Sequence, residues 1–180
     1  MKSVFRSTAV AAALAACALL AGAQSSSPVA DAVRASVHHA GQTMLAAAKE
    51  MPANKYSYKP TAGSMTFGRL VLHIGQSNAF TCHAIAGGTS MAKTTLTPTS
   101  PKDELVAYLQ KAFNYCDTAL ANLTDSDLSA EKPFFGGRKV SQAALLFALT
   151  DDLADHYSQQ AAYLRKNGML PPSAHGRGTP

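Results

Sequence analysis

Apolar residues recur at alternating steps of three and four along four stretches of the chain, a spacing that keeps them on one face of an α-helix. The stretches cover about residues 29–51, 64–86, 102–123 and 139–167. No stretch of any length alternates apolar and polar residues as a half-buried strand would. Because an amphipathic helix must bury its apolar face against other elements, the pattern predicts an all-α protein that folds as a four-helix bundle.

The polar segments between the predicted helices indicate how the helices are connected. Gly87 and Gly88 end the second helix, and a threonine-rich stretch without apolar periodicity continues to Pro101. This connection of around 14 residues is longer than the usual helix–helix connection in bundles, which has about 2–8 residues. It can run the height of the bundle, which favours an up-down-down-up order with a crossover between helices two and three. An antiparallel up-and-down bundle is the alternative topology.

The first residues of the chain have the pattern of a secretory signal peptide. Lys2 and Arg6 precede an apolar run over residues 9–20, and the small residues 21–23 follow it as a cleavage site. The run is too short to predict a membrane span. A lipoprotein signal is the alternative, in which Cys17 would carry a lipid anchor. Either signal predicts an exported protein, periplasmic or secreted.

Domain organisation and charge follow from the same patterns. The chain divides into a signal peptide over 1–23, a linker over 24–28, the bundle over 29–173 and a flexible tail over 174–180. The whole chain has 16 lysines and arginines against 11 acidic residues, a net charge of +5. Loss of Lys2 and Arg6 with the signal peptide would leave 14 against 11, a net charge of +3. The basic residues are scattered and are not interleaved with aromatic ones, so we expect no nucleic-acid partner.

Two polar residues interrupt the apolar stripe of helix four. The stripe consists of Leu145, Leu149, Asp152, His156, Gln159 and Tyr163. Asp152 and His156 are about one turn apart, so both side chains can reach one ion, as histidines at this spacing do in zinc proteases. A polar group in a core position costs free energy unless it has a partner, and a metal ion is one such partner. The alternative is a buried hydrogen bond through which Asp152 fixes the tautomer of His156.

Helix two contains a similar interruption. His73 lies in an apolar stripe between Leu70 and Phe80. From a neighbouring helix, His73 could complete a metal site with Asp152 and His156, which makes two imidazoles and one carboxylate with positions left open. Such a set suits catalytic zinc, or a ferrous iron, nickel or manganese ion, with water or a small-molecule substrate in the open positions.

Three motifs of the chain match a known family in their order and spacing. They are Tyr58-Lys59-Pro60, Ser64-x-Thr66-Phe67-Gly68-x-Leu70-x-x-His73-Ile74 and His156-Tyr157-x-Gln159-x-x-x-Tyr163-Leu164-Arg165-x-x-Gly168-x-x-Pro171-Pro172. Together they resemble the DinB-like superfamily of metalloenzymes, also called the DinB/YfiT-like family. The resemblance spans about residues 30–173, nearly the whole of the predicted bundle.

The resemblance implies an up-down-down-up bundle that holds a divalent metal through three histidines. His73 matches the first of these and His156 the last, but Asp152 stands at the position of the middle one. It further implies hydrolase or thiol-transferase chemistry, in which the metal activates a bound water or thiol. Because aspartate has the shorter side chain, a non-catalytic structural or ligand-binding bundle with a degenerate metal site is the alternative. The expected partners are a small-molecule substrate and, for a bundle of this kind, a second copy in a homodimer.

Two cysteines, Cys82 and Cys116, remain beyond the predicted signal peptide. The parallel second and third helices that the resemblance implies would bring them to similar heights, which favours a disulfide. Cys82 follows His73 by nine residues, roughly 180° around the helix, which turns it away from the core if His73 faces the core. The balance favours two separate buried cysteines over a disulfide.

Overall fold

The computed structural model describes residues 26–175, which form four α-helices and one short hairpin. The helices are α1 (Pro28–Glu50), α2 (Phe67–Ala86), α3 (Lys102–Leu120) and α4 (Gln142–Lys166). The prediction of an all-α four-helix bundle is confirmed. The predicted signal peptide, including Cys17, lies outside the described residues, as does the end of the predicted tail. Within residues 26–175, none of the helices is long and apolar enough to cross a membrane.

Side chains just outside the helices set where two of them begin. Thr66 caps α2 by accepting a hydrogen bond from the backbone N–H of Arg69. Ser141 caps α4 by accepting one from the backbone N–H of Ala144. Two predicted helix starts are therefore corrected, because α2 begins at Phe67 rather than at residue 64, and α4 begins three residues later than its apolar pattern indicates.

The order of contacts along the helices gives the topology. Gly68 packs against Leu105 near the start of α2 and α3, and Cys82 is bonded to Cys116 near their ends, so these two helices run parallel. The extended connection over 87–101 returns the chain to the starting end of the bundle. α1 runs antiparallel to α3, and α4 runs antiparallel to α2. The up-down-down-up order with its crossover is thus confirmed.

Cys82 and Cys116 form a disulfide between α2 and α3, with their Cα atoms 5.3 Å apart. The prediction of two separate cysteines is therefore wrong. His73 and Cys82 do lie on opposite sides of α2, as the angle between them requires, but both sides are packed against other helices. α2 lies between α3 and α4 and is buried on both of these sides, so a position turned away from one helix faces the other.

A small antiparallel hairpin precedes α4, formed by β1 (Glu131–Pro133) and β2 (Lys139–Ser141). The sequence pattern predicts a loop and the first turn of helix four here, because strands of three residues are too short to show a two-residue period. Gly136 and Gly137 adopt positive φ angles of 68° and 74°, which lets the chain reverse without steric cost. The hairpin packs against α2.

Candidate functional site

α2 and α4 bring the three residues of the predicted metal site together. The ring centroids of His73 and His156 are 4.9 Å apart, and the two rings are nearly perpendicular at 73°. Nδ1 of His156 lies 3.3 Å from Oδ2 of Asp152. His73 therefore faces the Asp152–His156 pair and is not turned away from it.

Ser77 is a fourth polar residue of this group. It follows His73 by one turn of α2, and its Oγ donates a hydrogen bond of 2.8 Å to Oδ2 of Asp152. This oxygen therefore contacts Ser77 on one helix and His156 on its own. The sequence places Ser77 on the same face as His73, but its pairing with Asp152 depends on the register between α2 and α4, which the sequence pattern does not give.

The contact between Asp152 and His156 leaves the histidine incompletely satisfied. At 3.3 Å, the contact is longer than a well-formed N–H···O hydrogen bond. Nδ1 of His156 is buried and has no hydrogen-bond partner among the described residues. His156 is only 5% exposed, whereas the Asp152 side chain is 37% exposed. Solvent thus reaches the group from the aspartate side.

The pKa values of His73, Asp152 and His156 are all shifted, and the shifts determine which of the three groups is charged. Burial lowers the pKa of His73, and His156 lowers it further, while the charge of Asp152 opposes both. The 3.3 Å contact with the Asp152 carboxylate, together with its negative charge, raises the pKa of His156 against the opposing effect of burial. Burial alone would raise the pKa of Asp152, but its contacts with His156 and Ser77 outweigh burial and lower it. At neutral pH the group therefore contains an ionised carboxylate beside a neutral His73.

By donor type, these side chains fit a divalent first-row metal ion. Imidazole nitrogen suits zinc, iron and nickel, and carboxylate oxygen suits manganese. The buried Nδ1 of His156 without a hydrogen-bond partner is a second point of fit. Their placement is not that of a formed site, because within residues 26–175 no group of three or more His, Cys, Asp or Glu side chains is positioned to hold a metal ion. Metal binding therefore requires these side chains to move from the positions described.

The remaining polar residues of the helix-four stripe have structural partners. Gln159 donates to Asp155 at 2.8 Å on the more exposed side of α4. Its neighbour Gln160 is the fully buried glutamine, and it donates to the backbone carbonyl of Met44 on α1. The hydroxyl of Tyr163 donates to the carbonyl of Met65 at 2.6 Å, which ties α4 to the segment before α2. The sequence pattern does not single out Gln160, because it lies beside the predicted stripe.

The chain matches the family model of the DinB superfamily over residues 36–160, a span that contains all four polar residues of the site. The chain belongs to the DinB superfamily. Its residues at the site nevertheless depart from the three histidines that the resemblance implies, since Asp152 replaces the middle one. No curated protein matches the chain.

Solved structures show how closely this DinB bundle matches others in fold. A DinB-like protein from Bacillus subtilis has a TM-score of 0.64 and 22% identity, over 77% of this chain and 93% of that one. A DinB-like protein from Bacillus cereus has a TM-score of 0.63 and 21% identity, over 74% and 89%. A conserved protein from Enterococcus faecalis has a TM-score of 0.61 and 16% identity, over 77% and 95%. At these identities the likeness establishes the fold alone.

Proposed function

We propose that this DinB-superfamily protein binds one divalent metal ion through His73, Asp152 and His156. The observation that carries the proposal is the meeting of two imidazoles and a carboxylate from α2 and α4. The superfamily is commonly associated with metals. The neutral state of His73 and the ionised state of Asp152 favour binding, because a metal ligand must be deprotonated, whereas the raised pKa of His156 means that the ion must displace a proton there.

The reaction class we propose is metal-dependent hydrolysis or thiol transfer on a small molecule. A bound divalent ion lowers the pKa of a water or thiol attached to it, which makes that group a nucleophile at neutral pH. The chain's own residues position the ligands. Ser77 holds Oδ2 of Asp152, and the packing of α2 against α4 holds His73 against His156.

We also propose that the protein acts after export, in the periplasm or outside the cell. The signal-like pattern of residues 1–23 supports this location. The Cys82–Cys116 disulfide supports it independently, because disulfides persist in oxidising compartments and are rare in the cytosol.

A second candidate is a bundle in which the same polar residues have only a structural role. The observation that favours it is the contact of Asp152 with both Ser77 and His156, which joins α2 to α4 without a metal. In this case the aspartate at the middle ligand position marks a degenerate site, and the protein has no metal-dependent chemistry.

Metal titration of the full-length protein separates the two candidates. Zinc, nickel, manganese and ferrous iron are each added to chelator-treated protein, and both the bound metal and the melting temperature are measured. The metal-binding proposal predicts near-stoichiometric binding of at least one ion. An ion present at a hundred times its Kd stabilises the fold by about 2.7 kcal/mol.

Two histidine variants serve as test and control in this titration. His156→Ala should abolish the metal-dependent rise in melting temperature. His38→Ala should retain it, because His38 is an exposed histidine of α1 that contacts Asp117 of α3 at 3.3 Å and takes no part in the candidate site. If all four ions bind substoichiometrically while His156→Ala still lowers the melting temperature, the metal proposal fails and the structural role stands.

A further inference from the structure

Three phenylalanine side chains meet where the hairpin packs on α2, and we call Phe80, Phe134 and Phe135 the phenylalanine cluster. The rings of Phe80 and Phe135 stack with centroids 4.5 Å apart and planes 20° apart. Phe134 contacts both, at centroid distances of 6.2 and 4.8 Å. The cluster therefore joins one helix and one hairpin tip into a single apolar surface.

This apolar surface remains open to solvent. Phe135 is 63% exposed and Phe80 is 41% exposed, whereas Phe134 packs partly against the bundle core and anchors the other two. Exposed apolar patches of this kind cost free energy in water and mark surfaces that contact a partner. The glycines at positions 136 and 137 close the turn, so Phe135 stands at the tip of the hairpin.

Basic side chains flank the phenylalanine cluster on the same hairpin. Lys132, Arg138 and Lys139 give the segment 131–141 three positive charges against the single negative charge of Glu131, a net charge of +2. Within residues 26–175, none of these three basic side chains has a carboxylate within 4 Å. The charge of Lys132 acts on nearby Asp127, which leaves the charges of Arg138 and Lys139 available to an external anion.

The hairpin lies at the end of the bundle where α1 begins. The backbone N–H of Ala30 donates to Asp125 at 2.8 Å, and Asp125 lies in the short turn that leads into β1. The chain before residue 26 therefore joins the bundle at this end. In the lipoprotein alternative, a lipid on Cys17 would tether this same end to a membrane.

We propose that the hairpin tip docks on an anionic phospholipid bilayer. Phe80 and Phe135 would enter the boundary between the headgroups and the acyl chains, where apolar side chains such as phenylalanine are buried, and Arg138 and Lys139 would contact the lipid phosphates. A second copy of the chain could also cover the rings. Two hairpins placed tip to tip would bring basic residues of like charge together, however, which costs free energy. The combined aromatic and basic character therefore favours the bilayer.

A single-tryptophan variant tests this docking directly. The chain contains no tryptophan, so Phe135→Trp in the full-length protein places one fluorescent reporter at the tip. The protein is mixed with vesicles of phosphatidylglycerol and phosphatidylcholine, or of phosphatidylcholine alone, with brominated acyl chains as quenchers. The proposal predicts that tryptophan emission shifts to shorter wavelength and is quenched on the anionic vesicles only.

Phe147→Trp is the matched control for the reporter. Phe147 is 71% exposed on α4 and makes no ring contact with the phenylalanine cluster. The tryptophan of Phe147→Trp should stay in water and should not be quenched. Because the reporter senses its own surroundings, lipid binding by residues 1–25 that leaves the hairpin tip in water gives no quenching.

Charge variants in the Phe135→Trp protein test the electrostatic part. Arg138→Ser with Lys139→Ser should weaken partitioning about twenty-five-fold, at about fivefold for each basic residue near the surface. Arg165→Ser with Lys166→Ser, at the opposite end of α4, should leave it nearly unchanged. Equal emission with and without anionic vesicles would overturn the proposal, as would equal quenching of the two tryptophan reporters. A vesicle-independent shift that grows with protein concentration would identify a second copy instead.

Discussion

The two sides of α2 are joined to their neighbours in opposite ways. On the side that faces α3, which we call the closed side, Gly75 and Cys82 allow close contact. A Cβ on Gly75 would lie 2.8 Å from the Tyr108 ring, and Cys82 is bonded to α3 covalently. On the side that faces α4, which we call the polar side, His73 and Ser77 approach a carboxylate and a second imidazole.

Because of this difference, one side of α2 stabilises the fold and the other side can bind a metal ion. The closed side is packed tightly at Gly75, and its covalent bond limits how far α2 and α3 can separate. On the polar side, Nδ1 of His156 is buried without a hydrogen-bond partner among the described residues, and the carboxylate of Asp152 is partly exposed to solvent. We therefore expect changes on the closed side to alter the free energy of unfolding, and changes on the polar side to alter metal affinity.

Removal of the disulfide should have the largest effect. The double variant Cys82→Ala with Cys116→Ala frees two residues that are 34 apart in sequence. In the chain-entropy model this lowers the free energy of unfolding by roughly 3–4 kcal/mol, which chemical denaturation measures. Metal affinity, measured by calorimetry under conditions where the variant is folded, should stay unchanged. A large loss of metal affinity in the folded variant would show that the two sides of α2 are coupled.

Restoring the three histidines that the resemblance implies should increase the metal affinity of the polar side. We expect Asp152→His to bind zinc about ten- to a hundredfold more tightly than the natural chain, which is about 1.4–2.8 kcal/mol. The longer imidazole reaches further towards His73 and His156 than the carboxylate does. Asp151→His, at an exposed position of α4, is the control and should change nothing. An unchanged zinc affinity in Asp152→His would contradict a site at these three positions.

Loss of the Ser77 hydroxyl should have a smaller effect, on both the metal affinity and the free energy of unfolding. Ser77→Ala leaves Oδ2 of Asp152 without its 2.8 Å hydrogen bond. Metal affinity should fall about tenfold, as is common when a ligand loses its supporting hydrogen bond. The metal-free protein should lose about 1 kcal/mol of unfolding free energy. Ser158→Ala is the matched control, since among residues 26–175 Ser158 bonds to the Ala154 carbonyl of its own helix alone. Equal metal affinities of the two variants would remove Ser77 from the site.

The smallest effect concerns the pH dependence of the metal-free protein. Asp152 raises the pKa of His156 above its ordinary value of 6.5, so the folded state holds this proton more tightly than the unfolded chain does. The resulting stabilisation is complete below pH 6.5 and is lost as the pH rises through the raised pKa. In chelator, the advantage of the natural chain over Asp152→Asn should therefore shrink as the pH rises from 6.5 into the alkaline range. An advantage that stays constant or grows over this range would show that Asp152 does not raise the pKa of His156.

Local signals made most of the fold predictable. The apolar period identified four helices because each has a buried stripe several turns long, and the long polar connection before Pro101 indicated the crossover. The hairpin was not predictable in the same way, because its strands have three residues each and are held by pairing and by contact with α2. The exposed phenylalanine cluster depends on that hairpin and could not be expected without it.

The candidate site was predictable in its residues but not in its geometry. His73, Asp152 and His156 stood out because they occupy positions where a bundle usually has leucine. Ser77 did not, because a serine on a helix face carries no such cost and gains its role only from Asp152 on another helix. The same limit applies to Cys82, whose burial on the second packed side of α2 follows from the arrangement of three helices.

The sequence by itself determined the number of helices, their order and the polar residues within their apolar stripes, because these depend on residues close together in the chain. Only the tertiary structure decided that Cys82 meets Cys116, that Ser77 supports Asp152, and that Phe80 joins the hairpin tip. Each of these contacts joins residues that are far apart in the chain. Such contacts depend on helix register and on which sides of a helix are packed, and neither is encoded in the period of one segment.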